Sequence, residues 1–307
     1  MDIKQLTYFL HVAELGSFTR AEQMLSIAQP AISRQIGSLE KELNKQLFER
    51  HGRGVILTEA GRQLLAHAHS ILAQLERARR DVTDGPTALT GACNVGIPPS
   101  VGALLTLPLV SEFQRLFPQA QLVLYEVLST YILEWLAQGR IEVGLAYNVP
   151  PSPAYDATPV VSEEFYLISP VADHSSGEPI ELPELAKYPF IVPSARHVRR
   201  FLIEATLSKA DIEMRIACEV GSTQAILDLV HAGFGYAILP LSALHNRNRD
   251  FSIRPIISPK IETTLSLLTP TRRPLTRLAG RVAEIITDVL PNVVERAATA
   301  TITSSAF

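Results

Sequence analysis

Five residues in one short stretch, Gln29, Pro30, Ser33, Arg34 and Gln35, include the side chains best suited to reading the edge of a base pair. A glutamine amide donates to and accepts from adenine, an arginine guanidinium offers paired donors to guanine, and a serine hydroxyl serves base or phosphate. At about 100° per residue, residues 29–47 gather Ile32, Ile36, Leu39 and Leu43 on one narrow face. Arg34, Ser38, Lys41 and Lys45 fall on the opposite face. The apolar face would seat a helix on its own domain and leave the other to meet a phosphate wall. Pro30 fits the first turn, where a missing N–H costs nothing. Gln29, Pro30, Ser33, Arg34, Gln35 and Lys41 are therefore candidate DNA contacts, although a solvated surface helix has the same pattern.

The elements around this stretch favour the DNA reading. Upstream, Ile3, Leu6, Phe9, Leu10 and Ala13 recur at helical spacing as far as Gly16. Ser17 can then cap a second helix whose Phe18, Ala21, Met24 and Leu25 form a core stripe. Ser26, Ile27 and Ala28 make a connection of helix-turn-helix length. Downstream, a hairpin over residues 48–57 turns at His51-Gly52-Arg53-Gly54. Its tip would lay Arg53 along a minor groove or phosphate, with an ordinary exposed hairpin charge as the alternative.

Charge argues against indiscriminate nucleic-acid binding. The chain carries 28 Lys and Arg against 31 Asp and Glu, a formal net charge of −3. Within residues 1–60, Lys4, Arg20, Arg34, Lys41, Lys45, Arg50 and Arg53 are balanced by Asp2, Glu14, Glu22, Glu40, Glu42, Glu49 and Glu59. Affinity must then come from local placement of charge and from several copies binding together. Thr58 can cap a helix over residues 59–83, along which Leu64, Ala68, Ile71, Leu75, Ala78 and Val82 mark a heptad seam. A dimerising linker helix would present two readers to a twofold site; packing on its own domain is the alternative. Asp84-Gly85-Pro86-Thr87 then marks a boundary.

Residues 1–90 resemble the DNA-binding and linker regions of the LysR-type bacterial transcriptional regulators. The resemblance is carried by Phe18, Ala21, Leu25, Gln29-Pro30-Ala31, Ser33, Leu39-Glu40, Leu43, Leu47-Phe48, Arg50 and Leu57-Thr58-Glu59-Ala60-Gly61. Residues 96–148 are also similar, especially to members governing nitrogen assimilation and aromatic catabolism, and 160–265 more loosely. Two positions depart from the family pattern. Glu22 stands where a second alanine is usual, and Asn44 where the helix usually ends in glycine; asparagine tolerates the left-handed conformation needed there.

The remainder reads as α/β without the family. Strands at 92–97, 121–127 and 141–146 alternate with helices at 100–117 and 129–138, a βαβαβ pattern that favours a parallel sheet. After Pro150-Pro151-Ser152-Pro153 a second unit follows, with strands at 165–169, 190–192, 215–220 and 236–239 and helices at 198–209 and 222–232. A strand at 264–269 and a helix at 275–290 come last, and the resemblance implies that they return to the first unit. Residues 297–307 read as a frayed tail.

The expected architecture is thus α/β with an all-α, winged N-terminal part. It comprises a winged helix-turn-helix (1–58), a dimerising linker helix and hinge (59–88), and a two-lobed α/β effector domain like a periplasmic binding protein (89–307). Lobe I spans about 89–160 and 266–307, and lobe II about 161–265. Strand-end loops facing the cleft between lobes are the expected ligand site. Hydroxyl residues open several helices there: Ser100, Ser129 and Thr130, Ser194, and Thr223 beside Ser222. Helix N-termini suit an anionic group, though each residue taken singly is explained as an N-cap. The resemblance implies effector contact at Ser100 and Ser129. His197 and Arg200 would add a donor or counter-charge, unless they lie on a basic surface with Arg196 and Arg199.

Other chemistry is sparse. Gly233-Phe234-Gly235 is a lone GxG, and no phosphate loop, HExxH or histidine–cysteine pairing occurs. Cys93 and Cys218 fall in predicted strands and read as buried reduced thiols. No metal, cofactor or catalytic residues are expected. A ligand-responsive transcription factor is the leading reading, ahead of a solute-capturing protein or an enzyme. Its partners would be double-stranded promoter DNA, a small-molecule effector, RNA polymerase and copies of itself as dimer or tetramer. With no apolar run long enough to span a membrane, a cytoplasmic location is expected.

Overall fold

A computed structural model describes residues 1–52, 54–83, 89–170, 177–195, 197–245 and 251–305, the side chains of 50, 76, 77, 80–83 and 301–305 aside. The chain divides into two compact units, Met1–Ala88 with Ala137–Arg140, and Leu89–Leu136 with Ile141–Phe307. The first begins with helices α1 (Ile3–Leu15), α2 (Phe18–Leu25) and α3 (Gln29–Leu43). Asp2 opens α1 through a capping box with Gln5, and Ser17 caps α2 by accepting the Arg20 N–H. Left-handed Ser26 and Asn44 end α2 and α3, so asparagine does serve where the family pattern has glycine.

Strands β1 (Phe48–His51) and β2 (Gly54–Leu57) form the hairpin that follows α3. Phe48 holds it to the helices, with ring centroids 5.3 Å from Phe9 and 5.9 Å from Phe18. Gly54 has a φ of 148°, and a Cβ there would stand 2.5 Å from the Gly16 carbonyl oxygen, so only glycine fits where the hairpin meets the end of α1. Arg53 itself lies outside the described residues, as does the boundary at 84–87.

Helix α4 (Glu59–Thr83) is capped by Thr58, whose hydroxyl accepts the Gly61 N–H and donates to the Gln46 carbonyl. Its seam does not act as one surface. Ala68 is fully buried and Leu64 half-buried in the unit's own core, along with Leu6, Phe9 and Ile36. Leu65 and Leu72 point to the same core, so the helix's first half packs on its own domain. Beyond it, Ile71 and Ala78 are exposed and Leu75 is half-exposed. The Val82 side chain lies outside the described residues.

The second unit contains β3 (Gly91–Ile97), α5 (Pro99–Leu116), β4 (Ala120–Glu126), α6 (Ser129–Gln138) and β5 (Val143–Tyr147), with β3 parallel to both β4 and β5. Strand β6 (Tyr155–Pro170) is 16 residues long and begins ten residues before the strand expected from sequence. Pro159 hides its first half, yet it sits where the register with a later strand shifts, at Leu265/Ser266. Such a bulge accommodates a residue that cannot donate to the ladder.

The chain continues through the two-residue β7 (Ile180–Glu181), β8 (Phe190–Pro193), α7 (Val198–Lys209), β9 (Ile216–Val220), α8 (Thr223–His231), β10 (Ala237–Pro240), β11 (Phe251–Ile257) and β12 (Glu262–Pro270). Strand β11, with Pro255 inside it, was not expected from sequence. The main sheet runs β4-β3-β5-β12-β6-β11-β7, with β10 also paired to β6; β8 and β9 form a separate parallel pair. Strands β6 and β12 are thus common to two lobes.

One core joins β3 and β5 to α5 and to the last helix, α9 (Arg277–Ser305). Two others flank β6, β8 and β10, towards α7 and α8 respectively. Helix α9 runs through Pro291, with Val294 and Ala297 buried, so the expected end at Leu290 and the frayed tail are both corrected. Its apolar seam outweighs the missing hydrogen bond at proline. Among the described residues, no helix is long and apolar enough to cross a membrane.

Candidate DNA-reading face and ligand cleft

Helix α3 buries Ile32, Ile36 and Leu39 and turns Pro30, Arg34, Ser38 and Lys41 to solvent, while Leu43, at its end, is exposed rather than seated; the helix expected to reach residue 47 stops there, and Lys45 is exposed beyond it. Gln29, Ser33 and Gln35 lie half-buried along its first two turns. Ala28 precedes the helix and offers no side-chain cap. Glu22 supplies one instead: its Oε1 accepts the Gln29 N–H at 3.1 Å. The departure at Glu22 therefore acts on the reading helix itself, placing a carboxylate against its positive end. At the other end Glu40 Oε1 accepts the Leu47 N–H at 2.7 Å and the Phe48 N–H at 3.3 Å, tying α3 to the hairpin.

In the second unit, several of the expected residues meet, but through an arginine that was not among them. Arg199, in the first turn of α7, is 4% exposed. Its Nη2 donates to Thr223 Oγ1 at 3.2 Å, and its guanidinium carbon lies 5.7 Å from the centre of the Tyr147 ring. Ser222 caps α8 by accepting the Ala225 N–H, which leaves the Thr223 hydroxyl available to Arg199. Arg199 Nη1 is buried and has no hydrogen-bond partner among the described residues, and the same holds for Ser100 Oγ at the start of α5.

Tyr147, at the end of β5, links these groups. Burial pushes its phenol up to about 12, reinforced by the negative charge of Glu163 and opposed by Arg199 and the nearby Ser100 hydroxyl. Ser100 is thus close enough to favour a phenolate without making a hydrogen bond of ordinary geometry. Ser129 is buried and accepts the Tyr147 N–H at 3.2 Å. His197 caps α7, its Nδ1 accepting the Arg199 N–H at 3.3 Å; burial and then the Arg199 charge lower its imidazole to about 4. Ser194 is half-buried, and its carbonyl accepts the His197 N–H.

Two expectations are corrected, those for Arg200 and Cys218. Arg200 does not enter the cleft: it donates to Glu204 Oε1 at 2.7 Å and the Pro193 carbonyl at 3.1 Å, and pairs with Glu219 Oε1 at 2.6 Å. On a helix, neighbouring residues diverge by about 100°, so the one buried toward Tyr147 leaves the other to β8 and β9. Thr130 is exposed. Cys218 is exposed on β9, which among the described residues pairs with β8 alone, whereas Cys93 is buried as expected. Among the described residues no cluster of ligating side chains suits a metal ion.

Residues 3–62 match the model of the bacterial regulatory helix-turn-helix proteins of the lysR family, and residues 87–291 match the LysR substrate binding domain. The chain belongs to the LysR family. It is a LysR-type transcriptional regulator with a helix-turn-helix and a substrate-binding domain of two α/β lobes. It is similar to the nitrogen assimilation regulatory protein nac of Escherichia coli, 29% identical over 297 residues that cover 96% of this chain and 97% of that one. The fold is that of a full-length OxyR variant from Pseudomonas aeruginosa, with a TM-score of 0.72, 23% identity and 94% of each chain covered. Full-length CbnR, solved in complex with its target DNA, is 27% identical with a TM-score of 0.54, covering 97% of this regulator and 100% of CbnR.

The exposure of Arg34, Ser38 and Lys41 was legible in the sequence because it follows from helical periodicity. Arg199, Tyr147 and Glu163 were missed because nothing local distinguishes Arg199 from Arg196 or Arg200. Topology brings Tyr147, at the end of β5, and Glu163, in the middle of β6, to opposite sides of β12.

Proposed function

We propose that this regulator binds promoter DNA through α3 and that an anionic effector, held between the lobes of its second unit, controls that binding. Gln29, Pro30, Ser33, Arg34 and Gln35 enter the major groove, while Lys41 and the hairpin residue Arg53 meet phosphates. The exposed stripe Ile71, Leu75 and Ala78 joins two copies, compensating for a reading domain without net positive charge. The effector domain runs from about residue 89, its lobes meeting near 160 and 265. Closure of these lobes on the effector shifts the packing of copies on DNA, and with it access of RNA polymerase.

The observation that carries the effector half is the buried, unpartnered Nη1 of Arg199 near an equally unpartnered Ser100 hydroxyl. A buried donor without an acceptor costs about 1–3 kcal/mol, and an anion contacting both would relieve that cost across the two lobes. A gel-shift titration with DNA from upstream of the regulated gene, with and without small carboxylates, tests the whole reading. Site-specific, salt-sensitive retardation altered by a carboxylate is expected; retardation indifferent to DNA sequence would overturn it.

A further inference from the structure

Glu163 is the carboxylate that acts electrostatically on Tyr147, and it limits what can bind. In the ladder between β6 and β12, Glu163 pairs with Thr263 and Val161 with Leu265, while Leu265 also pairs with Tyr147 of β5. Alternation along the strands therefore puts Glu163, Thr263, Leu265 and Tyr147 on one face of the sheet. Helix α7 begins above that face: Val198 packs against the same core as Tyr147 and Leu265, and Arg199 lies over the Tyr147 ring.

Burial raises the Glu163 carboxyl, and hydrogen bonding from the buried Ser242 and the Arg199 charge draw it back. Arg199 and Glu163 thus feel each other, yet among the described residues no ion pair joins them. The site thus holds a buried cation with a free donor and, on the same face of the sheet, a carboxyl group with lone pairs to offer a donor, where solvent screens poorly.

A ligand bearing only negative charge would satisfy Arg199 but place a second anion beside Glu163. A ligand bearing only positive charge would do the reverse. Resting on the reading that an effector binds between the lobes, we infer that this effector is a zwitterion of the amino-acid type. Its carboxylate takes the free Arg199 Nη1 and the Ser100 hydroxyl, and its ammonium takes Glu163. The arrangement leaves the rest of the ligand to face Tyr147 and the ends of α5 and α8.

The test sets the twenty common L-amino acids against the 2-hydroxy acids that share their side chains, with the full-length protein at pH 7.5. Melting temperature screens the compounds, and calorimetric titration gives Kd for each pair that binds. Exchange of ammonium for hydroxyl removes a charge-assisted bond of about 1.5–3 kcal/mol, which is about a tenfold or larger loss of affinity. Glu163→Gln is expected to bring the amino and hydroxy members of a pair within about threefold of each other. Arg199→Gln is expected to lose both.

The ratio within a pair does not depend on the fraction of folded protein, and the wild-type ratio stands even if a variant folds poorly. Hydroxy acids binding as tightly as amino acids, with Arg199 still required, would overturn the zwitterion while leaving an anionic effector in place. A preference for amino acids that survives Glu163→Gln would also overturn it. No Arg199-dependent binding across the panel would overturn both this inference and the effector reading beneath it.

Discussion

The reading helix and the ligand cleft solve opposite electrostatic problems. On α3 the charged side chains Arg34 and Lys41 stand in water, where charge is cheap to keep and the helix's seat is made separately by Ile32, Ile36 and Leu39. In the cleft, Arg199, Tyr147 and Ser129 are buried, so each polar group must find a partner or carry the cost of lacking one. The first region therefore tolerates substitutions that alter only recognition. The second would couple recognition to stability, since two of its buried groups, Arg199 Nη1 and Ser100 Oγ, have no hydrogen-bond partner among the described residues.

That contrast can be broken at four points. The largest effect is expected from Ser100→Trp, which should fill the space beside Tyr147 and abolish effector response in a gel-shift titration. Binding of the unliganded protein to DNA should persist, and loss of both would mean that the two regions are not separable. Arg34→Ala comes next, weakening site-specific DNA binding by about 1–3 kcal/mol if it reads a base. Its melting temperature should not move, because the side chain is exposed; a lower one would count against a purely reading role.

Glu22→Ala should cost about 1 kcal/mol of stability through loss of the cap on α3. Glu22→Gln, which keeps an acceptor for the Gln29 N–H, should recover most of it in chemical denaturation. Equal stability of the alanine and glutamine variants would show that Glu22 caps nothing. The smallest effect concerns pH. The His197 imidazole, lowered to about 4 in the folded chain, refuses a proton that the unfolded chain accepts from about 6.5 downward. Stability should therefore fall as pH drops from about 6.5 to about 4 and level off below. Allowing for partial exposure, the contribution is about 1 kcal/mol. His197→Asn retains a capping acceptor and should flatten that slope; an unchanged slope would assign it to other groups.

Much of the first unit was legible because its determinants are local. Helical period, Ser17, Thr58 and the hairpin glycines fix where elements start and turn, and Asn44 adopts the left-handed conformation its side chain permits. The seam on α4 was legible as a pattern but not as a destination: a heptad reads the same whether its partner is the helix's own domain, as for Ala68, or another copy. Periodicity also failed where tertiary packing overrode a breaker. Pro159 lies in a strand at a register shift, and Pro291 in a helix whose apolar seam continues past it.

By itself, then, the sequence determined the class of the protein, the reading helix and the residues that face outward from it, since exposure on an amphipathic helix follows from spacing alone. Only the tertiary structure decided which of the neighbouring Arg199 and Arg200 lies over the Tyr147 ring. Arg199 was chosen over Arg200 because α7 begins above the strands carrying Tyr147 and Glu163. Those strands are neighbours of β12 through crossovers that no local pattern encodes. Burial, which makes an unpartnered donor costly and so points to a ligand, is a property of that assembly and of no single segment.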